Sequence, residues 1–193
     1  MHGTENYQIV AVAETDYIYT SEDSGDNWSQ RADNSLWTTV SSSTDGTKII
    51  AGGLLYYLYK SSDRGLTWSV LDVPGNFWLS TASSSDGEIL YAGGIFFIFK
   101  SEDGGKNWYP IINAYSDLSI WLSLACSNDG KIIIGTALSL NGVGITAMYL
   151  SLDSGLTWRN IIVDQQDHLW RAVTCSSDGK YFYAIDNVKD GSI

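Results

Sequence analysis

The stretch "YKSSDRGLTW", residues 59 to 68, sets a serine, an aspartate, a glycine and a tryptophan at fixed intervals within a segment too short to be a domain. It returns as "YTSEDSGDNW" (19 to 28), "FKSEDGGKNW" (99 to 108) and "YLSLDSGLTW" (149 to 158). The serines that open the shared pattern Ser-x-Asp-x-Gly-x-(Thr/Asn)-Trp, at 21, 61, 101 and 151, stand 40, 40 and 50 residues apart. The chain is built from copies of one unit, and a period of this length points to stacked supersecondary repeats.

A second signature alternates with the first. It is a Trp, a short β-prone run and then an Asp-Gly pair: "WTTVSSSTDG" (37 to 46), "WLSTASSSDG" (78 to 87), "WLSLACSNDG" (121 to 130) and "WRAVTCSSDG" (170 to 179). All 8 tryptophans fall in these two signatures. Between them lie short runs rich in Ile, Val, Tyr and Phe, such as "KIIAGG", "EILYAGG", "DYIYTS" and "FFIFKS". Runs of this length bounded by Gly, Asp and Asn are strands, and Asp-Gly pairs are hairpin turns. No helical periodicity is visible. Each unit therefore reads as four antiparallel strands: one from the second-signature Trp, one after Asp-Gly, one ending at the first-signature Ser and one starting at its Trp.

Four short strands in about 40 residues is the pattern of a β-propeller blade, which buries its two faces by stacking on its neighbours. The expected fold is all-β: a propeller of about four to five four-stranded antiparallel blades. The chain is one domain over 1–193, with units near 6–36, 37–77, 78–120 and 121–169 and a partial unit over 170–193. It begins in the second strand of a unit and ends with a first strand, a second strand and the start of a third. The C-terminal first strand would complete the N-terminal unit, leaving one second strand over. Such an unpaired strand is an edge open to other chains, and it offers a route to a homo-oligomer.

The first signature resembles the Asp-box, or BNR repeat, of sialidases, sortilin-type receptors, photosystem II assembly factors and some xyloglucan-active glycosidases. The resemblance implies that Asp23, Asp63, Asp103 and Asp153 anchor hairpin turns. It implies too that Gly25, Gly65, Gly105 and Gly155 supply a backbone conformation other residues resist, and that Trp28, Trp68, Trp108 and Trp158 pack beneath. The activities of these families are diverse, so the fold does not choose among them.

Composition narrows the function. A content of 44% hydrophobic and 13% aromatic residues is that of a globular chain. A net charge of -11 with 11 Lys and Arg argues against nucleic acid and against anionic membrane surfaces. No apolar run is long enough to span a bilayer, and residues 1 to 10 lack the pattern of a signal peptide. Richness in Ser, Thr, Tyr and Trp suits an extracellular or surface setting. Cys126 and Cys175 take equivalent places in two first strands, where Ser42 and Ser83 stand in the other units, and read as packing residues. His2 and His168 have no partners at metal-ligand spacing, so no metal or cofactor is expected.

Function in repeat proteins lies where the copies differ. The fourth unit carries an insertion, "ALSLNGVGIT" (137 to 146), on the face formed by the connections between units, opposite the Asp-boxes. Those connections supply Asn76, Tyr115, Asp117, Gln166, Asp167 and His168 and lead into Trp78, Trp121 and Trp170. Aromatic faces beside amides and carboxylates suit a sugar ring, which has an apolar C–H face and a hydroxyl rim. The same tryptophans would equally serve as wedges between blades. The expectation is a non-catalytic binding or assembly module for a glycan or protein partner. The alternatives are a glycosidase-like enzyme, or a piece of one, and a structural subunit of a surface or shell assembly. A sialidase would need an arginine triad that Arg31, Arg64, Arg159 and Arg171 do not supply, and the catalytic set is left empty.

Overall fold

The computed structural model of the 193-residue chain describes residues 7–55, 57–75, 77–111, 119–140, 146–163 and 168–187. These residues form five antiparallel sheets of two to four strands and contain no helix. The first sheet is β1 (Ile9–Val12), β2 (Asp16–Ser21) and β3 (Ser29–Ser35). The second is β4 (Trp37–Ser42), β5 (Ile49–Gly53), β6 (Leu58–Ser61) and β7 (Ser69–Leu71). The third is β8 (Ser80–Ser83), β9 (Leu90–Gly93), β10 (Ile98–Ser101) and β11 (Tyr109–Pro110). The fourth is β12 (Ser119–Cys126), β13 (Ile133–Ser139), β14 (Thr146–Ser151) and β15 (Arg159–Ile161). The fifth is β16 (Trp170–Cys175) and β17 (Phe182–Asp186).

Within each sheet the strands follow chain order, so every connection is a simple hairpin. Between sheets the first strands are neighbours: β4 packs on β8, β8 on β12, and β12 on β16, while β1 packs on β4. Four apolar clusters fill the spaces between successive sheets. Ile18, Trp37 and Ala51 lie between the first and second sheets, and Ile50, Leu58, Trp78, Leu90 and Phe99 between the second and third. Tyr91, Ile98, Trp121, Leu124 and Ile133 follow, then Ile134, Met148, Leu150 and Val173 with Trp170. A second-signature Trp thus sits in every inter-sheet core.

Strand composition follows from this stacking. β5 and β9 are covered on both faces and read as unbroken apolar or small runs, IIAGG and LYAG. β17 holds the same place in the fifth sheet, but its burial alternates, with Tyr183 and Ile185 each 65% exposed. One of its faces has no neighbour among the described residues.

The two turn types meet at one end of each sheet and share a design. In the first-signature turn the Ser61 hydroxyl accepts the Gly65 N–H at 2.8 Å and donates to Asp63 at 2.7 Å. Asp63 also accepts the Thr67 N–H at 2.9 Å and the Thr67 hydroxyl at 2.6 Å, and the Trp68 indole donates to the Gly65 carbonyl. Arg64 and Gly65 have φ of 62° and 84°, a left-handed pair that needs a glycine at one position. The Asp-Gly turn repeats the arrangement, with the Ser43 hydroxyl donating to Asp45 and accepting the Lys48 N–H. Ser84 with Asp86, Ser127 with Asp129 and Ser176 with Asp178 do likewise.

The Asp-Gly turns also tie sheet to sheet. The Thr44 N–H donates to the Ser85 carbonyl, the Ser85 N–H to the Asn128 carbonyl and the Asn128 N–H to the Ser177 carbonyl, at 2.8 to 2.9 Å. The glycine of each turn lies against the preceding sheet: a Cβ at Gly130 would stand 2.8 to 3.0 Å from the Ile89 side chain.

Two expectations are modified. The insertion at 137 to 146 is partly strand, because β13 extends to Ser139 and Leu138 pairs with Thr146 at the start of β14; residues 141–145 lie outside the described residues. The expected completion of the first unit by the C-terminal first strand is not formed. Among the described residues β16 pairs with β17 and β1 with β2.

Candidate functional site

At the end of the sheets opposite the two turn types, the second-signature tryptophans mark the starts of the first strands. Bulges follow three of them: the pairing skips Thr38 after Trp37, Leu122 after Trp121 and Arg171 after Trp170. The extra residue re-aims the strand, a common use of bulges near sheet ends. The third sheet differs, since β8 starts at Ser80 and Trp78 precedes the strand.

Trp78 and Trp121 are 1% and 0% exposed. Trp78 packs edge-on against Phe99 at 5.8 Å, and Trp121 lies between Tyr149 and Trp158, each at 5.6 Å. Both act as wedges between sheets in this structure. The Trp121 indole N–H is buried with no hydrogen-bond partner.

Trp170 is partly exposed and carries His168 stacked on its ring, 4.6 Å between centroids at 28°. His168 Nδ1 lies 2.6 Å from Asp186 Oδ2, and the Leu169 N–H donates to Asp186 Oδ1 at 2.8 Å. The hydrogen bond from His168 holds the Asp186 carboxyl below the usual carboxylate range. Sequence reasoning singled out His168 and Trp170 but gave no sign of Asp186, which lies at the far end of β17. Asn76, Tyr115, Asp117, Gln166 and Asp167 lie outside the described residues.

A larger concavity lies elsewhere. A groove of about 540 Å³ runs between the first and second sheets, lined by Trp37, Tyr57, Tyr59 and Trp68 with Asp33, Leu55 and Leu66. Trp37 is the buried floor and meets Tyr59 edge-to-face at 5.1 Å. Tyr57 stands 54% exposed at the rim. The Trp37 indole donates to the Asp33 carbonyl, which leaves the exposed Asp33 carboxylate free of that contact. Backbone strain marks the same wall, where Ala32 has φ of 56° outside any repeated turn position. Phenol hydroxyls, one carboxylate and aromatic faces together can hold a polyhydroxylated ring.

Sequence reasoning missed this groove because its rim comes from a hairpin between second and third strands, "LLYYLY" (54 to 59), which reads as strand-flanking apolar residues. The available signal was an excess of Leu and Tyr beyond what two short strands can bury. The cysteines are free, and burial pushes the Cys126 thiol up to about 12.

No protein-family model and no curated protein matches the chain. Among solved structures it is similar to a GH74 xyloglucanase from Xanthomonas campestris, with a TM-score of 0.65 and 16% identity over 96% of this chain. The match covers 35% of the xyloglucanase, so the chain spans about a third of that structure's length. At this identity the likeness concerns the fold: a β-sheet architecture distantly related to that of a carbohydrate-active enzyme.

Proposed function

We propose that the five sheets are blades of an Asp-box β-propeller, and that the chain is the glycan-holding part of a carbohydrate-active protein. The observation that carries this reading is the groove lined by Trp37, Tyr57, Tyr59, Trp68 and Asp33. The succession of first strands along one side of the stack supports the propeller, as does the fold shared with a xyloglucanase. That likeness favours the glycosidase-like reading over a free-standing binding module. The described lining of the groove, however, supplies one carboxylate, whereas acid-base glycoside hydrolysis uses two. In this reading the chain contributes substrate binding.

A charge of -11 repels uronic or sialic acid polymers, so the ligand is a neutral glycan, met outside the cell or at its surface. Titration of cello- and xyloglucan-oligosaccharides, followed by tryptophan fluorescence and calorimetry, tests this. Saturable quenching lost in Tyr57→Ala supports it, and an absence of heat and quenching at millimolar oligosaccharide refutes it. A fluorogenic glycoside panel run on the same sample should stay dark. Self-association through β17, which has no second strand partner among the described residues and exposes Tyr183 and Ile185 on one face, belongs to the same proposal. Light scattering over a concentration series would refute it by returning monomer throughout.

A further inference from the structure

One level along the stack, between the second and third sheets, lies a smaller cleft of about 230 Å³. Its character is different. Trp78 and Phe99 form the floor and Phe96 and Phe97 the rim, with Pro74 and Ile95 at the sides, and the described residues lining it carry no polar side chain apart from the Trp78 indole. Several backbone groups nearby are engaged. Gly94 donates to Phe97 and accepts from Trp121, and the Phe96 N–H donates to Ser119 at 2.8 Å. A hydroxylated sugar ring would lose its water here and find little in return.

Two of the ring pairs are edge to face and the third is tilted. Trp78 meets Phe99 at 78°, Phe97 meets Phe99 at 6.0 Å and 58°, and Phe96 stands at 90° to Phe97. Such geometry continues naturally onto one more aromatic ring, and an apolar space of about 150 Å³ already holds benzene. Strain points the same way. Phe77, beside Trp78, has φ of 58°, a left-handed conformation that bulky residues resist and that no other residue preceding a second-signature Trp adopts, whereas Phe96, at 74°, takes the hairpin place that Thr15, at 63°, takes in the first sheet.

No residue lines both the cleft and the larger groove, but hydrogen bonds tie the two linings together. The Thr38 hydroxyl, next to Trp37 of the groove, donates to the carbonyl of Trp78 of the cleft. The Trp78 N–H donates at 3.1 Å to Gly53, two residues before Leu55 of the groove. From this juxtaposition we infer that the cleft binds an aryl group carried by the glycan, as an aryl glycoside or an aromatic ester presents it. The inference rests on the glycan-binding reading of the larger groove.

The test compares methyl β-cellobioside, phenyl β-cellobioside and phenol by calorimetry on the full chain. The phenyl glycoside should bind at least tenfold tighter than the methyl glycoside, and Phe97→Ala should abolish the difference. Phe96→Gly removes a rim ring while relieving the left-handed strain, so it keeps the test open should Phe97→Ala unfold. Equal affinities for the two glycosides, or a gain that survives both variants, overturns the aryl site and leaves glycan binding standing. Saturable phenol binding that Phe96→Gly removes, with no response to the methyl glycoside, upholds the aryl site and refutes the glycan reading. Silence from all three probes refutes both.

Discussion

The Ser61 hydroxyl stands between two groups of its own turn, taking the Gly65 N–H at 2.8 Å and giving its proton to Asp63 at 2.7 Å. Both Ser61 and Gly65 are buried, so no water replaces the hydroxyl if it is removed. Ser61→Ala should cost about 1–3 kcal/mol, the range for a buried donor left unsatisfied. Ser101→Ala, which removes the same contact to Gly105, should cost a similar amount. Urea midpoints of the two variants check the equivalence, and a neutral result at either site would show the hydroxyl to be dispensable.

Carboxylates in these turns set an acid limit. Asp23, Asp45, Asp63, Asp103 and Asp178 are held at about 2 against an ordinary 3.8. The leading cause is the Thr67 side chain at Asp63, the Ser43 hydroxyl at Asp45 and the Asn107 N–H at Asp103. A folded value below the unfolded one means that the stabilisation is complete above about pH 4 and is lost as pH falls towards 2. The melting temperature should be level from pH 7 to 5 and fall steeply between pH 4 and 2. A level profile down to pH 2.5 would contradict these hydrogen bonds.

Trp121 is 0% exposed between Tyr149 and Trp158. Trp121→Ala should destabilise by about 3–5 kcal/mol, the usual cost of emptying a large aromatic site in a core. Tyr57→Ala, at the rim of the groove, should leave the melting temperature within a degree or two while lowering oligosaccharide affinity at least tenfold. Reversal of this pair would exchange the two roles.

The contact of Gly130 with Ile89 predicts a coupled pair. Gly130→Ala places a Cβ 2.8 to 3.0 Å from Ile89 and at φ of 68°, so both crowding and backbone strain act. Ile89→Ala removes the Cγ2 and Cδ1 contacts but keeps the Ile89 Cβ at 2.9 Å, so it should recover part of the crowding and leave the strain, roughly 1 kcal/mol or somewhat more. A double-mutant cycle that gives simple additivity would remove the steric explanation.

Much of the fold is written in the repeats. Every third strand ends on the motif serine, at Ser21, Ser61, Ser101 and Ser151, because the serine hydroxyl closes the turn that follows. The role of the serine two residues before each Asp-Gly pair was less visible, although it sits at the same offset from its aspartate. The candidate site was legible only in kind. A Trp at the head of each first strand suggests an aromatic face, but whether that face is open depends on the hairpin beside it. Over Trp37 the Tyr57 hairpin leaves a groove, whereas Trp121 is sealed by Tyr149 and Trp158. Such closure is decided by side-chain packing across the strands and hairpins of one unit, which periodicity does not encode.

The amide links from Thr44 to Ser85, Ser85 to Asn128 and Asn128 to Ser177 run in one direction along the chain. Each internal repeat therefore presents one donor to its successor and one acceptor to its predecessor at this end of the stack. A whole repeat can be duplicated or deleted by recombination without stranding either group, whereas a cut within a repeat leaves one of each. The opposite end has links of its own, in the other direction, from the Trp78 N–H to the Gly53 carbonyl and from the Trp121 N–H to the Gly94 carbonyl, and the extra length of the fourth repeat lies beyond them, between its second and third strands. Gene duplication thus has a joint to copy at both ends of the molecule, and the hairpins between second and third strands, which lie outside those joints, are free to diversify.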